Sequence, residues 1–122
     1  MRRRTGILGG TFDPVHTGHL ILAETVLSDA GLDRILFIPA RTPPHKPDAP
    51  ISDPADRVAM LRLAIQNHPA FFVSECEIDR EGPSYTVDTL SLLKSTDEYR
   101  NDQFFLGFKS RLPALWITHS ST

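Results

Sequence analysis

Short apolar runs alternate along the chain with stretches in which apolar residues recur every three or four positions. The runs predict buried strands, and the recurrence predicts helices with one apolar face. The predicted strands lie at 5–8, 34–38, 71–74 and 103–106, and the predicted helices lie at 17–30, 54–68 and 85–95. This β-α-β-α-β-α-β order predicts a mostly parallel sheet with right-handed crossovers.

The ends of the predicted helices carry residues that suit those positions. Asp53 and Pro54 suit the N-cap and first turn of the second helix, and Gly31 suits the left-handed position after the first. The residues expected to face inward are Leu20, Ala23, Leu27 and Ala30, then Val58, Leu61 and Ile65, then Val87, Leu90 and Leu93. We therefore expect an α/β fold with a doubly wound, mostly parallel sheet of about four strands.

Composition excludes several classes of protein. The 122 residues include 13 Lys and Arg against 15 Asp and Glu, a net charge of −2 that excludes a highly basic nucleic-acid arm. With 40% apolar residues the chain is not disordered. No apolar run approaches the roughly 18 residues of a membrane helix, and no signal-peptide core follows the N-terminal arginines. The single Cys76 cannot form an internal disulfide, so we expect a cytoplasmic protein in which it is a small hydrophobe.

Chemically informative residues concentrate where the first strand meets the first helix. Gly9 and Gly10 end the strand, and His16 and His19 begin the helix. Ligands bind at the carboxyl edge of such sheets, glycines let a phosphate approach the backbone, and helix N-termini favour anions. Two histidines three positions apart form either an anion clamp or two metal ligands. We favour the clamp, because no third His, Cys or acidic residue lies at a zinc-like spacing.

Two further motifs lie in predicted loops. Six of the ten prolines fall between residues 39 and 54, and Pro43-Pro44 there delivers His45 and Lys46 as a fixed pair. A lysine on a stiff loop suits the neutralisation of phosphate as a point charge. The second motif, Gly82 to Leu90, opens the third predicted helix, whose N–H groups suit a carboxylate, and Tyr85 suits stacking on a flat ring.

The segment His16-Thr17-Gly18-His19 resembles the (His/Thr)-x-Gly-His motif of the nucleotidyltransferase superfamily. Together with the Pro43–Lys46 and Ser84–Leu90 motifs, it is similar to bacterial nicotinate-nucleotide adenylyltransferases over residues 5–107. The resemblance implies adenylyl transfer from ATP to nicotinate mononucleotide, which gives deamido-NAD and pyrophosphate in NAD biosynthesis. It also implies Mg²⁺ that travels with the ATP phosphates and keeps several waters.

The resemblance also implies roles for particular residues, which fall into three groups. The catalytic residues are His16, His19 and Lys46. The residues that bind ATP are Gly9, Gly10, Thr11, Phe12, His16, Gly18 and His19. The residues that bind the mononucleotide are His45, Lys46, Tyr85 and Thr86. We expect no metal ion held by protein ligands, and neither nucleic acid nor membrane as a partner.

The last part of the chain departs from the family pattern. Phe108 and Lys109 stand where family members have Ala-Asp, and no Arg-bearing phosphate motif follows before Thr122. The resemblance therefore implies a Rossmann-like doubly wound parallel sheet truncated after about four strands. It places the N-terminal part of a nucleotidyltransferase domain at 1–107 and a divergent tail at 108–122, with an activity impaired by truncation. Two alternatives remain open, a non-catalytic nucleotide-binding remnant and an adenylyltransferase for another phosphate substrate.

Overall fold

Eight regular elements form the fold in the computed structural model, which describes residues 2–10, 12, 14–41, 53–78, 86–108 and 117–119. They are β1 (Arg4–Gly10), α1 (Thr17–Asp29), β2 (Arg34–Pro39), α2 (Pro54–Ile65), β3 (Phe71–Val73), α3 (Thr86–Lys94), β4 (Gln103–Phe108) and β5 (Ile117–His119). Every helix and strand predicted from the pattern of apolar residues is present. Predicted and observed bounds differ only at the element ends.

The strands form one sheet in the order β3-β2-β1-β4-β5. β1 pairs in parallel with both β2 and β4, and β2 pairs in parallel with β3. β5 was not predicted, and it adds a fifth, antiparallel strand along β4, with Phe105 opposite Thr118. Three residues are too few to show a period in the sequence, so pairing with β4 is what defines this strand.

Helices cover the sheet on both faces. α1 and α2 bury Ala23, Val26, Leu61 and Ile65 against Leu8, Ile35, Phe37 and Phe105. α3 buries Leu90 and Leu93 on the opposite face, against Ile7, Leu36, Ile38 and Phe104. Because both faces are covered, all six residues of β2 are buried, as expected for a central parallel strand. The predicted doubly wound α/β class is confirmed.

The order of the strands places a crevice beside β1. From β1 the chain moves to β2 and β3 on one side, then crosses to β4 on the other side of β1. In open parallel sheets, ligands bind at the carboxyl ends of the strands where this reversal occurs. The turn between β1 and α1 lies at that point, which is where the sequence places the two glycines and two histidines.

The predicted helix ends are also present. The Asp53 carboxylate accepts a hydrogen bond from the Ala55 N–H at 3.0 Å, and Gly31 has a φ of 62°.

The inward face of α1 differs in part from the prediction. Its buried residues are His19, Ala23 and Val26, whereas Leu20, Leu27 and Ala30 are half-buried against the same core. The face is rotated because the first turn contacts the core through the His19 ring.

A buried polar network joins the amino ends of three strands, at the edge opposite the crevice. The Arg34 guanidinium donates to the Asp102 carboxylate at 2.7 Å and to the Thr5 hydroxyl at 3.1 Å. Thr5 in turn donates to Asp102 at 2.6 Å. The Arg34 guanidinium also lies 4.5 Å from the centre of the Tyr99 ring. Burial, and then the nearby Glu98 carboxylate, raises the pKa of Tyr99. Its ring presents a π face to the Arg34 cation.

Within the described ranges, none of the helices combines the length and apolarity that crossing a bilayer requires.

Candidate functional site

The turn after β1 is anchored by Phe12. This residue adopts a φ of 51°, in the left-handed region that disfavours residues with a side chain. Such a conformation costs on the order of 1–3 kcal/mol. The ring is fully buried and meets the Phe37 ring edge-on, with the centroids 5.8 Å apart. Burial of the aromatic ring offsets the strained backbone and holds Phe12 in this conformation.

The two histidines form the N-terminal cap of α1. His16 is the N-cap residue, and its Nδ1 accepts a hydrogen bond from the Gly18 N–H at 3.1 Å. Nδ1 of His19 accepts from the His16 N–H at 3.0 Å. This reciprocal arrangement is a capping box in which imidazoles replace the usual hydroxyl and carboxylate groups. Two of the N–H groups at the helix start are thereby satisfied.

Capping also brings the two rings together and fixes their tautomers. Their centroids lie 3.9 Å apart, with 32° between the ring planes. Because Nδ1 of each ring accepts a backbone hydrogen bond, a neutral ring carries its proton on Nε2. Nε2–H is the group with which each imidazole can donate to an anion. The predicted convergence of His16 and His19 on one side of the helix start is therefore present.

One histidine is held rigidly and the other is accessible. His19 is buried, and its ring meets the Phe12 ring edge-on with the centroids 5.1 Å apart. Phe12 contacts Phe37, which contacts Phe71 at 5.4 Å, so His19 is connected to the core through a series of aromatic rings. His16 is exposed to solvent. The pair combines a fixed position with access from the crevice.

Gly18 has a steric reason to be glycine. A Cβ at this position would lie 2.9 Å from His16 Cε1 and 3.0 Å from His16 Nδ1. These distances are too short for a methyl group, so any side chain would displace the His16 ring. The His-x-Gly-His spacing therefore follows from the way the first ring folds back over the helix start.

Of the other predicted site residues, some lie within the residues that the structure describes and the rest lie outside them. Gly9 and Gly10 end β1, and the Gly10 carbonyl accepts from the Ala40 N–H at the end of β2, at 2.8 Å. Thr86 begins α3. Thr11, His45, Lys46 and Tyr85 lie outside the described residues. Gly9, Gly10, Phe12, His16, Gly18 and His19 are brought together around one turn.

Two arginines that the sequence analysis did not single out lie at the same edge of the sheet. Arg57 of α2 is fully buried and donates to the carbonyls of Ala40 and Arg41. Arg41 donates to the carbonyl of Ile78 at 3.2 Å. The sequence does contain an indication that Arg57 is buried. It lies four positions before Leu61, so the helical period places this charged residue on the apolar face of α2.

The chemistry of the donors at this turn favours phosphate over a resident metal ion. Among the residues that the structure describes, no group of three or more His, Cys, Asp or Glu side chains could hold a metal. Imidazole N–H groups and backbone amides donate hydrogen bonds, and Mg²⁺ needs oxygen acceptors.

Cys76 is half-buried beside the core face covered by α3, and burial raises the pKa of its thiol. It therefore lacks the character of a nucleophile.

Sequence relatives point to one enzyme class. The profile described as cytidylyltransferase-like matches residues 7–116. A nicotinate-nucleotide adenylyltransferase from Bacillus subtilis (strain 168) is 54% identical over 103 residues, which cover 84% of this chain and 53% of that protein. A probable nicotinate-nucleotide adenylyltransferase from Dehalococcoides mccartyi is 50% identical over 119 residues, which cover 98% of this chain and 58% of that protein. The chain spans about half the length of the curated relatives it matches.

Solved structures agree on the architecture. A Plasmodium falciparum nicotinic acid mononucleotide adenylyltransferase complexed with NaAD superposes with a TM-score of 0.66 at 21% identity. The match covers 86% of this chain and 51% of the other. At this identity the likeness concerns the fold, and it supports the doubly wound sheet described above.

Proposed function

Because this chain belongs to the cytidylyltransferase-like family, we propose that it transfers an adenylyl group from ATP to nicotinate mononucleotide, giving deamido-NAD and pyrophosphate. Family membership confirms the resemblance predicted from the three sequence motifs. The observation that carries the proposal is the convergence of the His16 and His19 rings, 3.9 Å apart, at the N-terminus of α1 beside the crevice. The names of the relatives from Bacillus subtilis and Dehalococcoides mccartyi support the choice of acceptor.

ATP phosphates suit the turn between β1 and α1 for three reasons. The Nε2–H groups of His16 and His19 donate hydrogen bonds, and the first N–H groups of α1 add a partial positive charge. A Cβ at Gly9 would meet only the Ile38 carbonyl, at an ordinary 3.9 Å. Packing within the described residues therefore does not require glycine at position 9, whereas close approach of a phosphate does. Phe12 contributes its backbone only, because its ring is buried.

The proposed reaction needs no nucleophilic side chain. A phosphate oxygen of the mononucleotide attacks the α-phosphorus of ATP in line, the new P–O bond forms, and the bond to the β-phosphate oxygen breaks with release of pyrophosphate. Negative charge builds up on the phosphate oxygens, where His16 and His19 donate hydrogen bonds, and Lys46 assists as a point charge. Mg²⁺ enters as part of the substrate, bound to the ATP phosphates.

The proposed acceptor site comprises His45, Lys46, Tyr85 and Thr86, with Thr11 added to the ATP site. The assignment rests on the two sequence motifs in which these residues occur. The amides at the start of α3 suit the nicotinate carboxylate, and the tyrosine ring suits stacking on the pyridine. The acid form of the mononucleotide is the proposed substrate for this reason.

The direct test is an assay of the 122-residue chain with ATP, Mg²⁺ and nicotinate mononucleotide, with pyrophosphate and deamido-NAD measured separately. Parallel reactions contain nicotinamide mononucleotide or a phosphopantetheine acceptor. We expect both products with the nicotinate form and slower turnover with the other acceptors. Binding of ATP without either product would replace the proposal with a nucleotide-binding role. Faster product formation from another acceptor would replace the proposed substrate.

Replacing Gly18 with alanine tests the link between the helix start and ATP. Alanine at a helical glycine ordinarily stabilises a helix by about 0.5–1 kcal/mol. Here the Cβ would push the His16 ring away and break its cap hydrogen bond, a loss of about 0.5–2 kcal/mol that offsets the alanine gain. We therefore expect ATP affinity to fall about tenfold while the melting temperature changes little. Calorimetric titration with ATP measures the first effect and circular dichroism the second. Thr25→Ala, at an exposed position of α1, is the matched control and should leave ATP affinity unchanged. Unaltered ATP binding by G18A would contradict this role of the His16 ring.

A further inference from the structure

Arg57 is an unusual residue for the interior of the fold. It lies on the apolar face of α2 with none of its surface exposed to solvent. Its guanidinium donates to the Ala40 carbonyl at 2.7 Å and to the Arg41 carbonyl at 3.1 Å. Burial of a guanidinium is costly unless its donors are satisfied, and an apolar side chain of similar size would fill the same space without that cost. The presence of the charge therefore points to a task besides packing.

The carbonyls that Arg57 binds belong to the residues just after β2. The Ala40 N–H donates to the Gly10 carbonyl, which ties the same residue to the glycine turn at the end of β1. The Arg41 side chain reaches the Ile78 carbonyl in the segment after β3. Arg57 thus binds the two residues that connect the carboxyl ends of β1 and β2 with the segment after β3.

We infer that Arg57 is a positioning residue for acceptor binding, which fixes the chain at Ala40 and Arg41 and, through the Arg41 side chain, at Ile78. This inference rests on the proposed function. Residues 40–41 precede the first acceptor segment, 42–46, which ends with His45 and Lys46. Ile78 precedes the second acceptor segment, 79–86, which ends with Tyr85 and Thr86. Arg57 contacts the residues that precede the first acceptor segment directly and reaches Ile78, before the second, only through Arg41. The His16 and His19 cap is held by other contacts.

The first experiment does not depend on activity. Arg57→Met keeps most of the side-chain volume but removes all the donors. The Ala40 amide reports on the end of β2, and the Ser74 amide, which donates to the Phe37 carbonyl, reports on the β2–β3 pairing nearby. By hydrogen exchange followed with NMR, we expect the Ala40 amide to exchange about tenfold faster in R57M with the Ser74 amide unchanged. Equal acceleration of both amides, or of neither, would overturn the inference.

Two further variants separate position from stability. Arg62→Met removes an exposed arginine of the same helix, whose guanidinium pairs with Glu75 at 2.9 Å, and should alter neither amide. Arg57→Lys keeps the charge and can still donate to one carbonyl, so its Ala40 exchange should lie between that of wild type and R57M. If R57M does not fold, R57K decides the question, because wild-type exchange at Ala40 in R57K would contradict the role of the paired donors.

The second experiment measures binding of each substrate separately. In R57M the affinity for nicotinate mononucleotide should fall about tenfold and the affinity for ATP should fall by less, because the ATP turn shares only the Ala40–Gly10 hydrogen bond with this region and keeps its histidine cap. A purely structural role would reduce the fraction of folded protein without altering either affinity. An equal loss for both substrates would also overturn the inference. Failure of the wild-type chain to bind either substrate would refute the proposed function, and the exchange at Ala40 would still decide whether Arg57 fixes the end of β2.

Discussion

Replacing His19 with alanine is expected to lower the rate of the proposed adenylyl transfer about 10²–10³-fold, the usual effect of removing one preorganised donor from a developing charge. The expectation follows from how firmly this ring is held. His19 is buried, meets Phe12 edge-on, and has its Nδ1 occupied by the His16 N–H, so its Nε2–H has a fixed position. Initial rates of pyrophosphate release at saturating ATP and mononucleotide measure the effect.

The alanine change also removes a helix cap, so a second variant is needed to isolate the chemistry. Glutamine at the third position of a helix can accept from the N-cap N–H as part of a capping box. His19→Gln should therefore keep the fold and the melting temperature near those of the wild type while the rate stays low. A wild-type rate in H19Q would show that the imidazole is dispensable and that only the cap is needed.

The largest expected effect on stability comes from Asp102→Ala. This change leaves the Arg34 guanidinium buried without its carboxylate, and removal of one partner of a buried ion pair costs about 3–5 kcal/mol. Thr5 loses its acceptor in the same step. Urea denaturation followed by circular dichroism measures the free energy of unfolding. The network lies at the amino ends of the strands, so the folded fraction should retain its affinity for ATP.

Two aspartate-to-asparagine changes provide the comparison. Asp102→Asn keeps an oxygen acceptor near Thr5 and Arg34 but removes the charge, so it should cost less than the alanine change. Asp97→Asn removes an exposed partner of Arg100, which it meets at 2.7 Å, and should cost at most about 1 kcal/mol. Similar losses in D102A and D97N would show that the buried network contributes no more than a surface pair.

Most of the fold was predictable because its main elements carry a local signal. The continuous apolar run in β2 and the spacing of Val58, Leu61 and Ile65 in α2 each mark an element without reference to the rest of the chain. β5 carries no such signal, since Ile117–His119 is a strand only by virtue of pairing with β4. The rotated inward face of α1 was not predictable either, because it depends on the Phe12 ring lying beneath His19.

The site divides in the same way. The residues from Gly9 to His19 are contiguous in sequence, so residue types and spacing were enough to predict that the two histidines converge at the helix start. The detailed geometry of the turn was not predictable. The left-handed backbone of Phe12 and the reciprocal capping by the two imidazoles are visible only in the structure. Arg57 contacts Ala40 and Arg41, which precede it by 17 and 16 positions in the chain, so no local sequence motif indicates the contact.

The double duty of position 16 restricts which amino acids can interchange there. Its side chain accepts from the Gly18 N–H, and in the proposed function it must also present a polar group to the ATP phosphates. Threonine meets the first demand as a good N-cap residue and the second with its hydroxyl, so it can replace histidine without unwinding the first turn. The alternation of His and Thr at the start of the superfamily motif is thus explained by the need for an N-cap side chain that accepts a hydrogen bond. Position 19 has no such latitude in the proposed reaction, because glutamine there can keep the cap but does not supply the imidazole.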